Sequence, residues 1–359
     1  MYGMTLEINQ KCNLVCEYCY LREKNNESML LETAYKSIDH AFDKIRLHKE
    51  KKLVFDFVGG EALLDFDLLK EIVKYIESKN KLYLYEINYG LTTNGTIFSD
   101  KIVDWLIRHN FNLKLSIDGN REVTNLGRKM RNHQDVYGAI IDNWKYIKKY
   151  ESELKKPIQV TNVVTKENYK HYAESFIHLI EDLHIKTIFT VFDISAIWTE
   201  NEVQYIEKEI EKAFNYFVNN INTNPIYWNF ISEVKRSVLP NKKFYSCGSG
   251  LIYLYVKVNG DLYACANAIQ SGSKLGNIYT GYNNNAINFL KNLEYIENDN
   301  CLHCNLYECC NAKGCIYKSL AENGTIDIPS KFLCWQQKFN YKFYYDHKKN
   351  IDGLSRREN

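Results

Sequence analysis

Short apolar, β-branched runs alternate with longer stretches of helical period up to residue 199, the pattern of repeated strand–helix units around a parallel sheet. Strands are predicted at 4–8, 53–58, 83–89, 112–117, 158–164 and 187–192. After the second of these, Leu64, Leu68, Leu69, Ile72, Val73 and Ile76 recur at helical spacing, while Asp65, Asp67, Lys70, Glu71 and Lys74 supply a wet face. Six such units predict an α/β fold, a partial (β/α)6 TIM-like barrel over residues 1–199. Every polar motif in this half falls just beyond a strand end, where α/β barrels gather their functional groups.

Residues 200–240 read as a helical linker, with Ile206, Ile210, Phe214 and Phe217 on one stripe. From 241 to 345 the texture changes to Gly, Asn and Cys, and LIYLYVKVNGDLYAC predicts a hairpin turning at Asn259-Gly260. This predicts a small cysteine-rich domain with little apolar core, of the kind that needs a metal staple. Residues 346–359 read as a tail.

Lysine and arginine number 46 against 44 aspartates and glutamates, a formal charge of +2, so no global field favours nucleic acid or an anionic membrane. No uncharged apolar run reaches the ~18 residues a membrane span needs, and the N-terminus has no signal-peptide core, so a cytoplasmic protein is expected. In that compartment 11 cysteines point to metal ligands or reactive groups rather than disulfides. Three of them, Cys12, Cys16 and Cys19, stand alone near the N-terminus, and the rest lie between Cys247 and Cys334.

Cys12-Asn-Leu-Val-Cys16-Glu-Tyr-Cys19 places three thiolates in one loop after the first strand. Closed iron–sulfur cubanes take four, so three leave one iron open to a substrate or cofactor. A zinc loop is the plain alternative, but zinc sites pair two ligand knuckles and no further cysteine occurs before Cys247. The CxxxCxxC spacing, with Tyr18 before the last cysteine, resembles the radical S-adenosylmethionine superfamily. That resemblance implies a [4Fe–4S] cluster whose open iron is chelated by S-adenosylmethionine, and a 5′-deoxyadenosyl radical made by reductive cleavage. It further implies that Gly59, Gly60 and Glu61 receive the methionine ammonium. Thr93 and Asn94, in Leu91-Thr92-Thr93-Asn94-Gly95-Thr96, and Ser116 and Asp118, in Ser116-Ile117-Asp118-Gly119, match further cofactor-binding stretches, with Ser116 at the ribose. Arg128 matches an arginine that pairs with the methionine carboxylate, a role suited to a permanently charged planar fork. Asp118 as a turn residue and Arg128 as a surface arginine are the bland readings.

The later cysteines resemble the SPASM extension, which binds two auxiliary iron–sulfur clusters. By that resemblance Cys301, Cys304, Cys310 and Cys334 complete one cluster, while Cys247, Cys265 and Cys315 hold the other. Cys310 and Cys315 are separated by one residue more than the pattern has, and Cys309 is extra, so either Cys309 or Cys310 is the ligand. Cys309 fills the fourth place of the second cluster, or one iron there stays open. Eight cysteines holding two zinc ions is the alternative. The resemblance thus implies three [4Fe–4S] clusters and S-adenosyl-L-methionine.

The function expected is maturation of a ribosomally made peptide by hydrogen abstraction, with a thioether or other crosslink as product. The expected partners are the precursor peptide, a separate leader-recognition protein in the absence of a segment ahead of the first strand, and a flavodoxin- or ferredoxin-like reductant. An anaerobic sulfatase-maturing enzyme is the second reading. In those enzymes an aspartate follows the second SPASM cysteine as general base, whereas Cys265 is followed by Ala266 and Asn267, which cannot take a proton as a carboxylate does. A degenerate electron-transfer or scaffold protein is the third.

Overall fold

A computed structural model of the chain describes every residue except 22–23, 132–133, 194–195, 222–223, 242–243, 246, 295–297 and 356–359. It divides into two compact units, Met1–Thr161 with Gly248–Lys291, and Asn162–Cys247 with Asn292–Asn359.

The first unit is built on strands β1 (Tyr2–Glu7), β2 (Lys52–Val58), β3 (Glu86–Thr93), β4 (Asn112–Ser116) and the start of β5 (Gln159–Val164), hydrogen-bonded in that order and all parallel. Alternation along the strands separates two faces. Met4, Leu6, Leu53, Phe55, Phe57, Leu113 and Leu115 are fully or almost fully buried. The helices Leu31–Ile45, Phe66–Asn80 and Asp100–Arg108 follow β1, β2 and β3. The opposite face carries Thr5, Glu7, Asp56, Lys114 and Ser116, most of them half-buried. Parallel sheets are normally apolar on both faces, so this polar face departs from the usual pattern. It is tied across the sheet by Lys114 Nζ on Asp56 Oδ1 at 2.9 Å. That bridge passes over β3 at Gly90, where a Cβ would stand 1.9 Å from Asp56 Oδ1.

Several expectations shift in detail. The third strand starts at Glu86 and runs through Thr93, because Asn80 closes the preceding turn with two hydrogen bonds to the Tyr85 backbone and Leu84 takes φ 53°. The helix after β2 begins at Phe66. Leu64 lies in a 3-10 turn before it and is exposed, leaving Leu69, Ile72, Val73 and Ile76 as the buried stripe.

The hairpin forms as expected, β8 (Tyr253–Val256) antiparallel to β9 (Asp261–Tyr263) with Gly260 at φ 83° in the turn, followed by β10 (Lys274–Asn277) and β11 (Gly281–Tyr282). It does not stand apart from the parallel sheet. β8 pairs in parallel with β1, with Thr5 opposite Tyr255, and so covers the edge of the first strand.

In the second unit β6 (Thr187–Phe192) pairs in parallel with β7 (Tyr227–Trp228), a short strand that interrupts the helical reading of 200–240. The helix Glu200–Asn220 starts with a capping box at Thr199 and Glu202 and buries Ile206, Ile210, Phe214 and Phe217. Phe214 and Phe230 meet Phe343 of the helix Lys331–Asp346 edge-on, at 4.9 and 5.1 Å. A further helix, Lys348–Ser355, follows, with Ile351 buried.

Candidate functional site

The three N-terminal thiols lie in a loop that begins five residues beyond β1 and is held from two sides. On one side, Gly60 N–H donates to Asn9 O at 2.9 Å and Glu61 N–H to Lys11 O at 2.7 Å. A Cβ on Gly59 would lie 2.6 Å from Asn9 Oδ1, and one on Gly60 only 2.1 Å from Lys11 O. Paired glycines are therefore what lets the loop after β2 close onto the loop after β1. On the other side, Val15 N–H donates to Lys129 O and Glu17 N–H to Gly127 O, with Leu14 bridged antiparallel to Met130.

Cys12, Cys16 and Cys19 are partly exposed and none is in a disulfide. Burial pushes the Cys12 and Cys16 thiols up. Lys24 draws Cys12 back down, and Arg128 and then Lys24 do the same for Cys16, while neighbouring thiols raise both. Three thiols within electrostatic reach of one another and of two cations form a donor set that fits a cubane with one open iron. Cys12, Cys16 and Cys19 would hold such a cluster, which together with S-adenosylmethionine would supply radical chemistry.

The other residues singled out from the sequence gather around this loop. Glu61 is buried and links two loops. Its Oε1 accepts from Leu63 N–H and Thr93 Oγ1, and its Oε2 accepts from Asn94 N–H at 2.7 Å. Burial pushes its pKa up to about 7 despite these donors. A carboxylate has about four acceptor positions, and the protein donors fill three of them. Asn94 in turn donates to Asn13, inside the thiol loop, at 2.9 Å. Arg128 is buried, and its fork is already engaged, with Nε and Nη2 each 2.9 Å from an oxygen of Asp118. Tyr18 OH donates to the same carboxylate, and its ring lies 5.3 Å from the Arg128 guanidinium. Asp118 thus orients both an arginine and the tyrosine of the thiol loop, a larger part than a turn residue plays. Ser116 ends β4 half-buried on the polar face.

In the second unit burial pushes the Cys334 thiol up, Lys338 draws it back, and Cys310, Cys304 and Cys301 raise it further, so the other three cysteines expected to share its cluster lie within electrostatic reach of it. Cys309 is raised by burial and by its neighbours Cys310 and Cys304, and its Sγ donates to Leu306 O at 3.4 Å. Cys265 precedes the helix Ala266–Gln270 in the first unit, while Cys247 and Cys315 belong to the second. Among the described residues, no three or more His, Cys, Asp or Glu side chains are gathered as for a single metal ion.

Sequence reasoning passed over Lys24, Asn13, Glu7 and Tyr255. Lys24 donates to the Leu14 carbonyl inside the loop at 2.9 Å. Glu7 had a visible signal, since it is the one charged residue in the run Tyr2-Gly-Met-Thr-Leu-Glu7-Ile8.

The Radical SAM superfamily model matches residues 6–180. A protein of Methanocaldococcus jannaschii, described as uncharacterized protein MJ0907, is 30% identical over 77% of this chain and 89% of its own length. The radical SAM cyclopropyl synthase TigE of Paramaledivibacter caminithermalis is 21% identical over 97% of this chain and 75% of its own. A cysteine-type anaerobic sulfatase-maturating enzyme of Clostridium perfringens is 23% identical over 92% of this chain and 93% of its own. Among solved structures, native anSMEcpe with bound AdoMet and Cp18Cys peptide shares the fold with a TM-score of 0.81, covering 99% of both chains at 18% identity. Motif, fold and relatives agree, and the chain belongs to the radical SAM superfamily, enzymes that bind a [4Fe–4S] cluster together with S-adenosylmethionine.

Proposed function

We propose that this enzyme is a maturase of a ribosomally made peptide, using hydrogen abstraction to install a crosslink such as a thioether. The observation that supports the reading is that Cys301, Cys304 and Cys310 lie within electrostatic reach of Cys334, a second thiol set besides the Cys12, Cys16 and Cys19 loop. Such a set serves electron removal after hydrogen abstraction, which crosslinking requires. With Cys247, Cys265 and Cys315 as ligands of one more cluster, the protein holds three [4Fe–4S] clusters. In this reading Ser116 lies at the cofactor's ribose, and Thr5 and Lys114 on the same polar sheet face are the surface for the reacting segment of the peptide. In this reading Gly59, Gly60 and Glu61 take the methionine ammonium, and Arg128, already aligned by Asp118, presents its remaining Nη1 to the methionine carboxylate. In this reading a flavodoxin- or ferredoxin-like protein delivers the electron.

The full-length likeness to an anaerobic sulfatase-maturating enzyme supports a second reading, formylglycine formation. Against it stands Ala266 after Cys265, in the place of the general base. One experiment separates the two. The anaerobically reconstituted enzyme, with S-adenosylmethionine and reductant, is offered the short peptides encoded beside its gene and, separately, a cysteine-containing sulfatase peptide. A loss of two hydrogens without loss of sulfur from a neighbouring peptide supports the crosslinking maturase. Formylglycine in the sulfatase peptide alone replaces it with the second reading.

A further inference from the structure

Glu7, the last residue of β1, has no exposed surface. Its Oε1 accepts from Gln10 Nε2 at 2.9 Å and its Oε2 from the Tyr255 hydroxyl of β8 at 2.8 Å. The Tyr255 oxygen lies 3.4 Å from the hydroxyl of Tyr20. Gln10 stands two residues before Cys12, and Tyr20 directly follows Cys19. One carboxylate is therefore joined by side-chain hydrogen bonds to both ends of the thiol loop. Burial holds the Tyr255 phenol well above its ordinary pKa, so the proton stays on the tyrosine and Glu7 is the acceptor. Among the described residues Glu7 makes no ion pair, and both of its donors are neutral. Burying an anion this way is costly compared with a neutral amide of the same shape, so packing alone gives no reason for an acid here.

We propose that Glu7 is a positioning residue for the cluster bound by Cys12, Cys16 and Cys19, bracing both ends of the loop and holding the cluster at a more negative reduction potential through its charge. Adding an electron beside a fixed anion in a medium of low dielectric is unfavourable. The potentials of iron–sulfur clusters follow local charge and hydrogen bonding accordingly. The arrangement sets Glu7 against Lys24 and Arg128, the cations that act on Cys12 and Cys16.

The proposal rests on those three cysteines being the ligands, and iron counts test that separately. Iron that survives Cys12→Ala, Cys16→Ala and Cys19→Ala together at the wild-type count overturns the ligand reading and this proposal with it. With the ligands established, the test is a redox titration of the anaerobically reconstituted full chain followed by paramagnetic resonance. Glu7→Gln is expected to retain the wild-type iron count and to shift the loop cluster's midpoint to a less negative potential, whereas Glu7→Asp stays near wild type. An unchanged midpoint in Glu7→Gln overturns the proposal. Where Glu7→Gln loses the cluster, Tyr255→Phe decides, because it keeps the acid while freeing Tyr20. Its midpoint is then expected at or below the wild-type value with an altered line shape, and a shift to less negative potential overturns the proposal.

Discussion

Replacing Gly60 with alanine probes the contact on which the site is assembled. The added Cβ would stand 2.1 Å from the Lys11 carbonyl oxygen and 2.8 Å from that of Gln10, and both neighbours are backbone that cannot rotate away. Ordinary contact begins near 3.4 Å, so the two loops must separate by about 1.3 Å. Such a movement strains or breaks the bonds from Gly60 N–H to Asn9 O and from Glu61 N–H to Lys11 O. At ~1 kcal/mol for each bond and ~1–3 kcal/mol for overpacking, the expected loss is ~3–5 kcal/mol. That is a large part of the ~5–15 kcal/mol by which a typical domain is stable. The assay is denaturant unfolding of the iron-free protein, followed by iron content and S-adenosylmethionine affinity after reconstitution. Gly353→Ala is the control, since nothing lies within 4 Å of a Cβ in that helix and a neutral or slightly stabilising effect is expected. A Gly60→Ala protein that unfolds at the wild-type midpoint and binds the cofactor normally would refute the close-approach argument.

Arg128→Ala takes the buried cation away from Asp118, whose side chain has 0% exposure and keeps the Tyr18 donor, and is expected to cost ~3–5 kcal/mol of stability as well as cofactor affinity. Asp118→Asn added to it should recover part of that stability, and denaturation of the two single variants and the double variant measures the coupling. Glu61 has a folded pKa of about 7 against an ordinary value of 4.5, so the folded state holds an extra proton between them. Its contribution is present below pH 4.5 and is lost as pH rises through 7, worth ~1 kcal/mol between pH 6 and pH 8 in the ligand-free protein. That slope should vanish in Glu61→Gln. Cys310→Ala is expected to lose about four irons and to destabilise its unit, whereas Cys309→Ala, whose thiol rests on Leu306 O, should keep the wild-type count. Equal iron loss in the two variants would contradict that division.

The parts of the site that sequence could disclose are those encoded by local spacing. The thiol loop, the paired glycines with Glu61, and Asp118 just beyond β4 follow strand ends that hydrophobic periodicity locates to within a few residues. What periodicity cannot carry is the choice of distant partners. Arg128 matches a cofactor-carboxylate arginine by its spacing, but spacing does not announce its protein partner, Asp118, ten residues earlier, which a buried guanidinium needs whether or not a ligand is bound. The hairpin was legible from Asn259-Gly260, but nothing in it announces that β8 extends the sheet at β1, some 250 residues away in the chain. Parallel pairing leaves no turn between its strands to read. Yet that pairing alone brings Tyr255 to Glu7 and so turns an acid in an apolar strand from an oddity into part of the thiol loop's support. Residues that break a local pattern are where long-range structure must supply the reason. In this chain Glu7 and Gly90 are such residues, and both belong to the polar side of the sheet.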